Sequence, residues 1–217
     1  VDFNNAIGSA PNGALTEFDG KFYGITIGGG AGGGVIFEWD PSSNIYKNRM
    51  NFMCVDGCHP QNSMTLINDK FYGMTNVGGA DNRGVIFVWD PITNVYTKKI
   101  DLNLEIGSDP VNPLTYNDGK FYGTTFYGGT YGGGLLFEWD PTTNLYTKRL
   151  DIYLAFGAGR VTGPLIYNDG KFYGSSTQLF EWNPTTNEHI KKIDFNAEIG
   201  VGAQPFLLVE TILEPVV

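Results

Sequence analysis

Residues 120–146 read KFYGTTFYGGTYGGGLLFEWDPTTNLY, and two phrases from this stretch recur along the chain. The first phrase is Lys-Phe-Tyr-Gly, which begins at Lys21, Lys70, Lys120 and Lys171. The second surrounds the four tryptophans at positions 39, 89, 139 and 182, whose spacings are 50, 50 and 43 residues. A shared period of this length indicates four copies of one structural unit.

Each repeat predicts four β-strands. In the third repeat the strands are Pro113–Tyr116, Lys120 to about Phe126, Leu135–Trp139 and Leu145 to about Ile152. Asp118-Gly119 predicts a tight hairpin turn because both residues tolerate positive φ. Asp140-Pro141 predicts a turn with Pro at the position that needs φ near −65°. Helix signals are absent, since Gly, Pro and Thr interrupt every window.

Four antiparallel strands in each unit of about 50 residues predict an all-β fold, a β-propeller with four-stranded blades. A β-sandwich would not repeat one strand quartet four times, and a solenoid would use shorter, parallel coils. We find no break in composition and expect one domain over 1–217. The expected repeats are 4–52, 53–102, 103–152 and 153–196, with a partial repeat at 197–217.

The run from Phe121 through Gly128-Gly129 to Tyr146 resembles a kelch-type blade, with Gly-Gly after the second strand and an aromatic residue a fixed distance later. It resembles more closely the Gloeobacter–Verrucomicrobium-type tandem repeat of secreted bacterial proteins, with its Tyr-Gly-Thr-Thr and Gly-Gly-rich phrases. The resemblance covers nearly the whole chain. It implies a propeller in an exported or surface protein and implies no reaction.

The fourth repeat and the two ends depart from this regularity. Between Gly174 and Phe180 the Gly-Gly stretch is missing, and Asn183 and His189 replace the usual Asp and Tyr. Residues 1–3 look like the last strand of a preceding blade, and residues 205–212 look like the first strand of a following one. A closed ring of four or five blades, which we favour, a fragment of a larger propeller, and self-association through open blade edges are the alternatives.

Composition excludes several classes of protein. The net charge of −9 argues against nucleic-acid binding, which needs clustered Lys and Arg. No apolar run approaches the roughly 18 residues of a membrane span, so we expect no membrane insertion. We expect no cofactor, because the Gly-rich loops lack the Gly-Lys-Ser/Thr of a phosphate loop and no Asp-x-Asp-x-Asp-Gly calcium loop occurs.

The predicted topology gives the two ends of the propeller different characters. One carries only tight turns. The other, which we call the loop face, carries the longer second-to-third-strand loops and the connectors between blades. The loops are Gly28–Gly34, Gly78–Gly84 and Gly128–Gly134, and the connectors are Asn4–Asn12, Cys54–Asn62, Asn103–Asn112 and Leu154–Thr162. Binding residues usually lie on loops held by a rigid scaffold, so we expect any site there.

Seven residues of the loop face are candidate ligand contacts. Tyr127 and Tyr131 lie in or beside a glycine loop and have no counterpart in the other repeats. Arg83 and Arg160 could hold an acidic group. Packing residues and solvated loop charges are the alternative interpretations. The remaining candidates are Asp81, Asn82 and Asp109. We assign no catalytic residue and no metal ligand.

The two cysteines, Cys54 and Cys58, occur only in the second connector. We expect a local disulfide in an oxidising compartment, with two free thiols as the alternative. A zinc site with His59 would lack a fourth nearby ligand.

These observations favour a secreted or cell-surface, non-catalytic binding or adhesion module that recognises a glycan or a protein. One alternative is a carbohydrate-active hydrolase, which would need two loop carboxylates within about 5–10 Å of each other. The unique acidic residues are Asp56, Asp81, Glu105, Asp109 and Glu198. Another alternative is a structural assembly domain of a larger surface protein.

Overall fold

The computed structural model describes residues 2–157 and 160–195, which form four blades. The first blade contains β1 (Ser9–Phe18), β2 (Lys21–Gly28), β3 (Val35–Asp40) and β4 (Ile45–Asn51). The second contains β5 (Thr65–Ile67), β6 (Lys70–Thr75), β7 (Val85–Asp90) and β8 (Val95–Asp101). The third contains β9 (Thr115–Asn117), β10 (Lys120–Thr124), β11 (Leu135–Asp140) and β12 (Leu145–Asp151). The fourth contains β13 (Ile166–Asn168), β14 (Lys171–Ser175), β15 (Gln178–Trp182) and β16 (His189–Asp194).

Each blade is an antiparallel meander in which strands pair in sequence order. The register repeats as well, since Phe22 pairs with Trp39 in the first blade and Phe121 pairs with Trp139 in the third. The tight turn after the first strand has positive φ at both central residues, as at Asp118 (47°) and Gly119 (80°). The predicted propeller architecture is confirmed. The partial repeat predicted at 197–217 lies outside the described residues.

One short helix, α1 (Ile152–Phe156), departs from the prediction that helices are absent. Asp151 caps it by accepting a hydrogen bond from the Leu154 N–H, and Gly157 ends it with φ 83°. In the first and third connectors the corresponding segments are turns, in which Asn4 and Asn103 accept backbone hydrogen bonds. A single helical turn held by its caps leaves too little periodic pattern to detect in a sequence.

The core lies between neighbouring blades. Tyr72 packs on the rings of Phe121 and Trp139 in the next blade, with centroid separations of 4.4 and 6.0 Å. The same arrangement joins the first blade to the second and the third to the fourth. Stacked and tilted aromatic pairs of this kind add to the free energy gained by burial.

Hydrogen bonds between blades repeat in the same way. The Thr65 hydroxyl donates to the Leu114 carbonyl at 2.6 Å, and the Thr115 hydroxyl donates to the Leu165 carbonyl at the same distance. Within the described ranges, these ring contacts and hydrogen bonds have no counterpart between the fourth blade and the first. The four described blades therefore do not close into a ring by themselves, and the five-blade ring, whose last blade would include residues 197–217, stays a prediction.

Among residues 2–157 and 160–195, no helix is both long enough and apolar enough to cross a bilayer.

Candidate functional site

The loop face forms as predicted, because each connector hydrogen-bonds to a neighbouring glycine loop or to the strand leading into it. The Cys58 N–H donates to the Val77 carbonyl at 2.9 Å, and the Ser108 N–H donates to the Tyr127 carbonyl at 3.0 Å. The His59 N–H reaches back to the Gly33 carbonyl of the preceding blade at 2.7 Å. Loops and connectors therefore form one continuous, hydrogen-bonded surface.

The second connector carries a disulfide between Cys54 and Cys58. Cys58 is buried, and its neighbour His59 directs Nδ1 toward the Ile27 carbonyl at 2.9 Å. The ligand atoms of Cys54, Cys58 and His59 lie within 4.8 Å of one another. Because both sulfur atoms are in the S–S bond, neither is available as a thiolate ligand in this state. The disulfide closes a short loop within the connector, and hydrogen bonds to the Gly33 and Val77 carbonyls hold that connector against the first and second blades.

Four of the predicted ligand residues gather at the boundary between the second and third blades, where they support the loops. The Arg83 guanidinium lies 3.6 Å from the Asp109 carboxylate, and the Asp109 N–H donates to the Arg83 carbonyl at 3.1 Å. The Asn82 side-chain oxygen accepts from the Gly78 N–H at 3.0 Å. Asp81 is exposed beside them. The contacts of Arg83, Asn82 and Asp109 hold backbone in place.

The other three predicted residues meet between the third and fourth blades. The Arg160 guanidinium carbon lies 4.2 Å from the Phe126 ring centroid and 4.6 Å from that of Tyr127. Its Nε donates to the Phe126 carbonyl at 3.2 Å. These contacts fix the guanidinium by cation–π stacking and one hydrogen bond, although the residue as a whole remains exposed. Arg160 therefore keeps hydrogen-bond donors that can reach a ligand.

An open groove of about 480 Å³ lies beside Arg160. One side is formed by Tyr131 and Tyr153, which are 63% and 42% exposed and whose ring centroids lie 5.1 Å apart. The other side comes from Ser176 and Thr177 in the fourth blade. The full lining is Phe126, Tyr131, Gly132, Gly133, Tyr153, Arg160, Thr162, Ser176 and Thr177. We call this the Tyr131–Arg160 groove.

The groove also contains a polar atom with an unused hydrogen-bonding capacity. The Ser176 hydroxyl oxygen is buried and has no hydrogen-bond partner in the structure. Buried polar atoms are seldom left unpaired. A ligand or an ordered water in the groove would satisfy this hydroxyl.

The fourth blade makes room for the groove. Only residues 176 and 177 separate β14 from β15, whereas residues 125–134 separate β10 from β11. The short fourth loop leaves the side of the third loop uncovered. The sequence shows this shortening, but its consequence depends on the packing of two blades.

Sequence reasoning missed Tyr153, Phe126 and Ser176 as groove residues. Tyr153 carried a usable signal, because it stands where the earlier repeats have Asn4, Met53 and Asn103. An aromatic residue at a repeat position that otherwise lacks aromatics is the same signal that made Tyr131 a candidate ligand contact. Phe126 and Ser176 had no comparable signal.

The glutamates that precede three of the tryptophans, Glu38, Glu138 and Glu181, are ion-paired, and we call them the framework glutamates. Glu38 contacts Lys21, Lys47 and Arg49, while Glu181 lies 2.8 Å from both Lys171 and Lys192. Burial alone would raise the pKa of Glu38, but hydrogen bonds from Arg49 and Lys21 outweigh it and leave the pKa below its ordinary value. The Lys171 and Lys192 ammonium groups likewise lower the pKa of Glu181. These carboxylates stay ionised, and each forms ion pairs with Lys or Arg side chains on the strands of its own blade.

Two of the carboxylates considered for a hydrolase, Asp81 and Asp109, lie at the boundary between the second and third blades, outside the Tyr131–Arg160 groove. Asp56 lies 3.7 Å from the Lys98 ammonium, and Asp109 pairs with Arg83. None of the four candidates within the described residues lines the Tyr131–Arg160 groove. Glu198 lies outside the described residues.

Comparison with solved structures supports the propeller architecture. The extracellular domain of BT4673 from B. thetaiotaomicron is similar to this chain with a TM-score of 0.61 and 13% identity, over 86% of this chain and 22% of that one. TolB from Acinetobacter baumannii is similar with a TM-score of 0.55 and 12% identity, over 81% of this chain and 41% of that one. The chain thus spans about a fifth and two fifths of their lengths. At these identities the likeness shows the fold alone.

Comparison at the sequence level gives two results. No curated protein sequence matches the chain. The family model described as the Gloeobacter/Verrucomicrobia repeat matches residues 1–186, the greater part of the chain and most of the four blades described above. The chain therefore belongs to the Gloeobacter/Verrucomicrobia repeat family.

Proposed function

We propose that this chain is an extracellular, non-catalytic binding module whose Tyr131–Arg160 groove recognises a glycan that carries a carboxylate. The observation behind the proposal is the pairing of two exposed tyrosine rings with a fixed guanidinium beside one open groove. Tyrosine offers a rigid apolar face and a polar hydroxyl at low cost in conformational entropy. Such a face suits the apolar side of a sugar ring.

The guanidinium supplies the preference for an acidic sugar. Arg presents several N–H donors in a planar fork that matches a carboxylate. Phe126 and Tyr127 already hold Arg160, so binding would cost little additional side-chain ordering. The unpartnered Ser176 hydroxyl adds a neutral donor and acceptor for a sugar hydroxyl.

An extracellular location is part of the proposal. The Cys54–Cys58 disulfide is the kind of cross-link that persists in oxidising compartments. The BT4673 domain with the similar fold is extracellular. The family resemblance to secreted bacterial repeat proteins points the same way.

A glycan array with acidic and neutral members tests the proposal. We expect the wild-type chain to bind members that contain uronic or sialic acid, and Arg160→Gln to weaken that binding about tenfold or more, since a hydrogen bond to a charged group contributes about 1.5–3 kcal/mol. Tyr131→Ala should weaken binding to acidic and neutral members alike. Arg83→Gln is the matched control, because it removes a loop-face guanidinium outside the groove and should leave binding unchanged.

Two results would count against the proposal. Binding to no glycan would refute it and favour recognition of a protein. Glycan binding that Arg160→Gln and Tyr131→Ala leave at wild-type strength would place the site elsewhere.

A further inference from the structure

The three interfaces between successive blades use one pattern, which gives each blade two different sides. We name the two sides by the tyrosine and not by the hydrogen bond. The donor side presents a tyrosine, as at Tyr23 and Tyr122, and a strand carbonyl, as at Arg49, that accepts a hydrogen bond. The acceptor side of the next blade receives the tyrosine on a phenylalanine and a tryptophan. An asparagine on this side, such as Asn94, donates the hydrogen bond to the carbonyl.

The first blade leaves its acceptor side open. Leu15 is 48% exposed, whereas the corresponding residues Met64, Leu114 and Leu165 are 5%, 3% and 4% exposed. Phe22 and Trp39 are half-buried, whereas their counterparts in the other three blades are fully buried. A groove of about 450 Å³ runs along this side, and the residues that line it all lie in the first blade or the segment leading into it.

The outer part of this side already has a cover. Phe3 packs on the rings of Phe37 and Tyr46 at 5.2 and 5.9 Å, as Phe52 packs on Phe87 and Tyr96 in the second blade. What remains uncovered is the inner part, where the other interfaces place the tyrosine of a preceding blade.

The fourth blade presents a matching donor side. Tyr173 occupies the repeat position of Tyr23, Tyr72 and Tyr122 and is half-buried, as Tyr72 is, whereas Tyr23 and Tyr122 are buried. Lys192 occupies the position of Lys99, whose carbonyl accepts from Asn144. Ile166, which is 37% exposed, replaces the threonine that donates across the other interfaces, so this side lacks that one hydrogen-bond donor.

We propose that the donor side of the fourth blade docks on the acceptor side of the first blade in a second copy of this chain. Tyr173 of one copy would pack on Phe22 and Trp39 of the next, and Asn44 would donate to the Lys192 carbonyl. The occupant is a second copy because both complementary sides belong to this chain and three internal interfaces show the geometry of their fit. The contact is heterologous, so it closes into a ring or extends into a chain according to its rotation.

Light scattering coupled to size exclusion, run over a range of concentrations, tests this association. We expect the wild-type chain to run at a multiple of its mass, and Leu15→Asp and Tyr173→Asp each to run as single chains. Leu145→Asp is the matched control, because Leu145 is 63% exposed and lies on neither side. Far-ultraviolet circular dichroism checks that each variant is folded.

Mixing the two interface variants tests the head-to-tail geometry. Leu15→Asp retains an intact donor side and Tyr173→Asp retains an intact acceptor side, so the mixture should form a species of two chains and nothing larger. A wild-type chain that stays single at every concentration would overturn the proposal. So would a variant that still associates alone, or a mixture that stays dissociated.

Discussion

Asn94 donates a hydrogen bond of 3.0 Å from its side-chain amide to the backbone carbonyl of Arg49 in the preceding blade. Its side-chain oxygen accepts from the Trp89 indole N–H at 3.2 Å. One turn residue therefore fixes the core tryptophan of its own blade and holds the neighbouring blade. Asn144 and Asn187 repeat both contacts.

The first prediction separates these two contacts. Asn94→Ala should destabilise the chain by about 1 kcal/mol more than Asn44→Ala, the typical contribution of one hydrogen bond. Both residues bond the indole of their own blade and have φ near 55°, so the two changes share the backbone cost, and each leaves one indole N–H without its partner, half-buried at Trp39 and fully buried at Trp89. Urea unfolding followed by tryptophan fluorescence measures the difference. Equal losses would show that the interblade bond contributes nothing.

A second prediction concerns the glycine of the Lys-Phe-Tyr-Gly phrase. A Cβ at Gly73 would lie 2.5 Å from the Phe87 ring, which is fully buried. Gly73→Ala should therefore destabilise the chain by about 3 kcal/mol, the upper end of the usual cost of overpacking a core.

Gly20→Ala is the control for that substitution. At Gly20 a Cβ meets nothing within 4 Å, but φ is +73°, so we expect only the backbone cost of about 1–2 kcal/mol. Thermal unfolding of the two variants gives the comparison. A smaller loss for Gly73→Ala than for Gly20→Ala would contradict the packing we describe.

A third prediction concerns the disulfide. Its reduction should destabilise the chain by about 2 kcal/mol, the chain-entropy estimate for so short a loop. Urea unfolding with and without a reductant measures this loss. Cys54→Ser, a change at an exposed position, should show a similar loss and no further response to reductant. A wild-type chain indifferent to reductant would mean that the bond does not hold the connector.

A fourth prediction follows from the depressed pKa of Glu38. A carboxyl group whose pKa is lower in the folded state stabilises the fold above its unfolded pKa of about 4.5, and that stability disappears as the pH falls through the folded pKa. The urea concentration at the midpoint of unfolding should therefore decrease as the pH is lowered below 4.5, and part of this decrease should be missing in Glu38→Gln. Glu188→Gln, at an exposed position, should retain it. An unchanged acid profile in Glu38→Gln would contradict the assignment.

Repetition explains which features were predictable from the sequence. The blade strands, the tight turns and the framework glutamates each recur, so several copies support one interpretation. Trp39 lies in the same recurring phrase as the three fully buried tryptophans, yet it is only half-buried. Its own sequence phrase is complete, and what differs is that none of the described blades packs against this side, which no local pattern encodes.

The groove was predictable only in part. Tyr131 and Arg160 stood out as unrepeated residues on the expected face, but the separation of the seven candidates into two clusters depends on how the blades pack. Tyr153 reaches Tyr131 because Asp151 starts a helical turn in the fourth connector. The helical turn and the short loop at Ser176 shape the groove through the packing of the third blade against the fourth, which the sequence does not show.

The central claim is recognition of an acidic sugar by the Tyr131–Arg160 groove. Calorimetric titration with an oligosaccharide of galacturonic acid, and with a neutral oligosaccharide of equal length, tests it most directly. The account predicts that the acidic sugar binds more tightly to the wild-type chain and to Arg83→Gln, and that Arg160→Gln loses the preference. Equal affinity for both sugars, or a preference that survives Arg160→Gln, would contradict it.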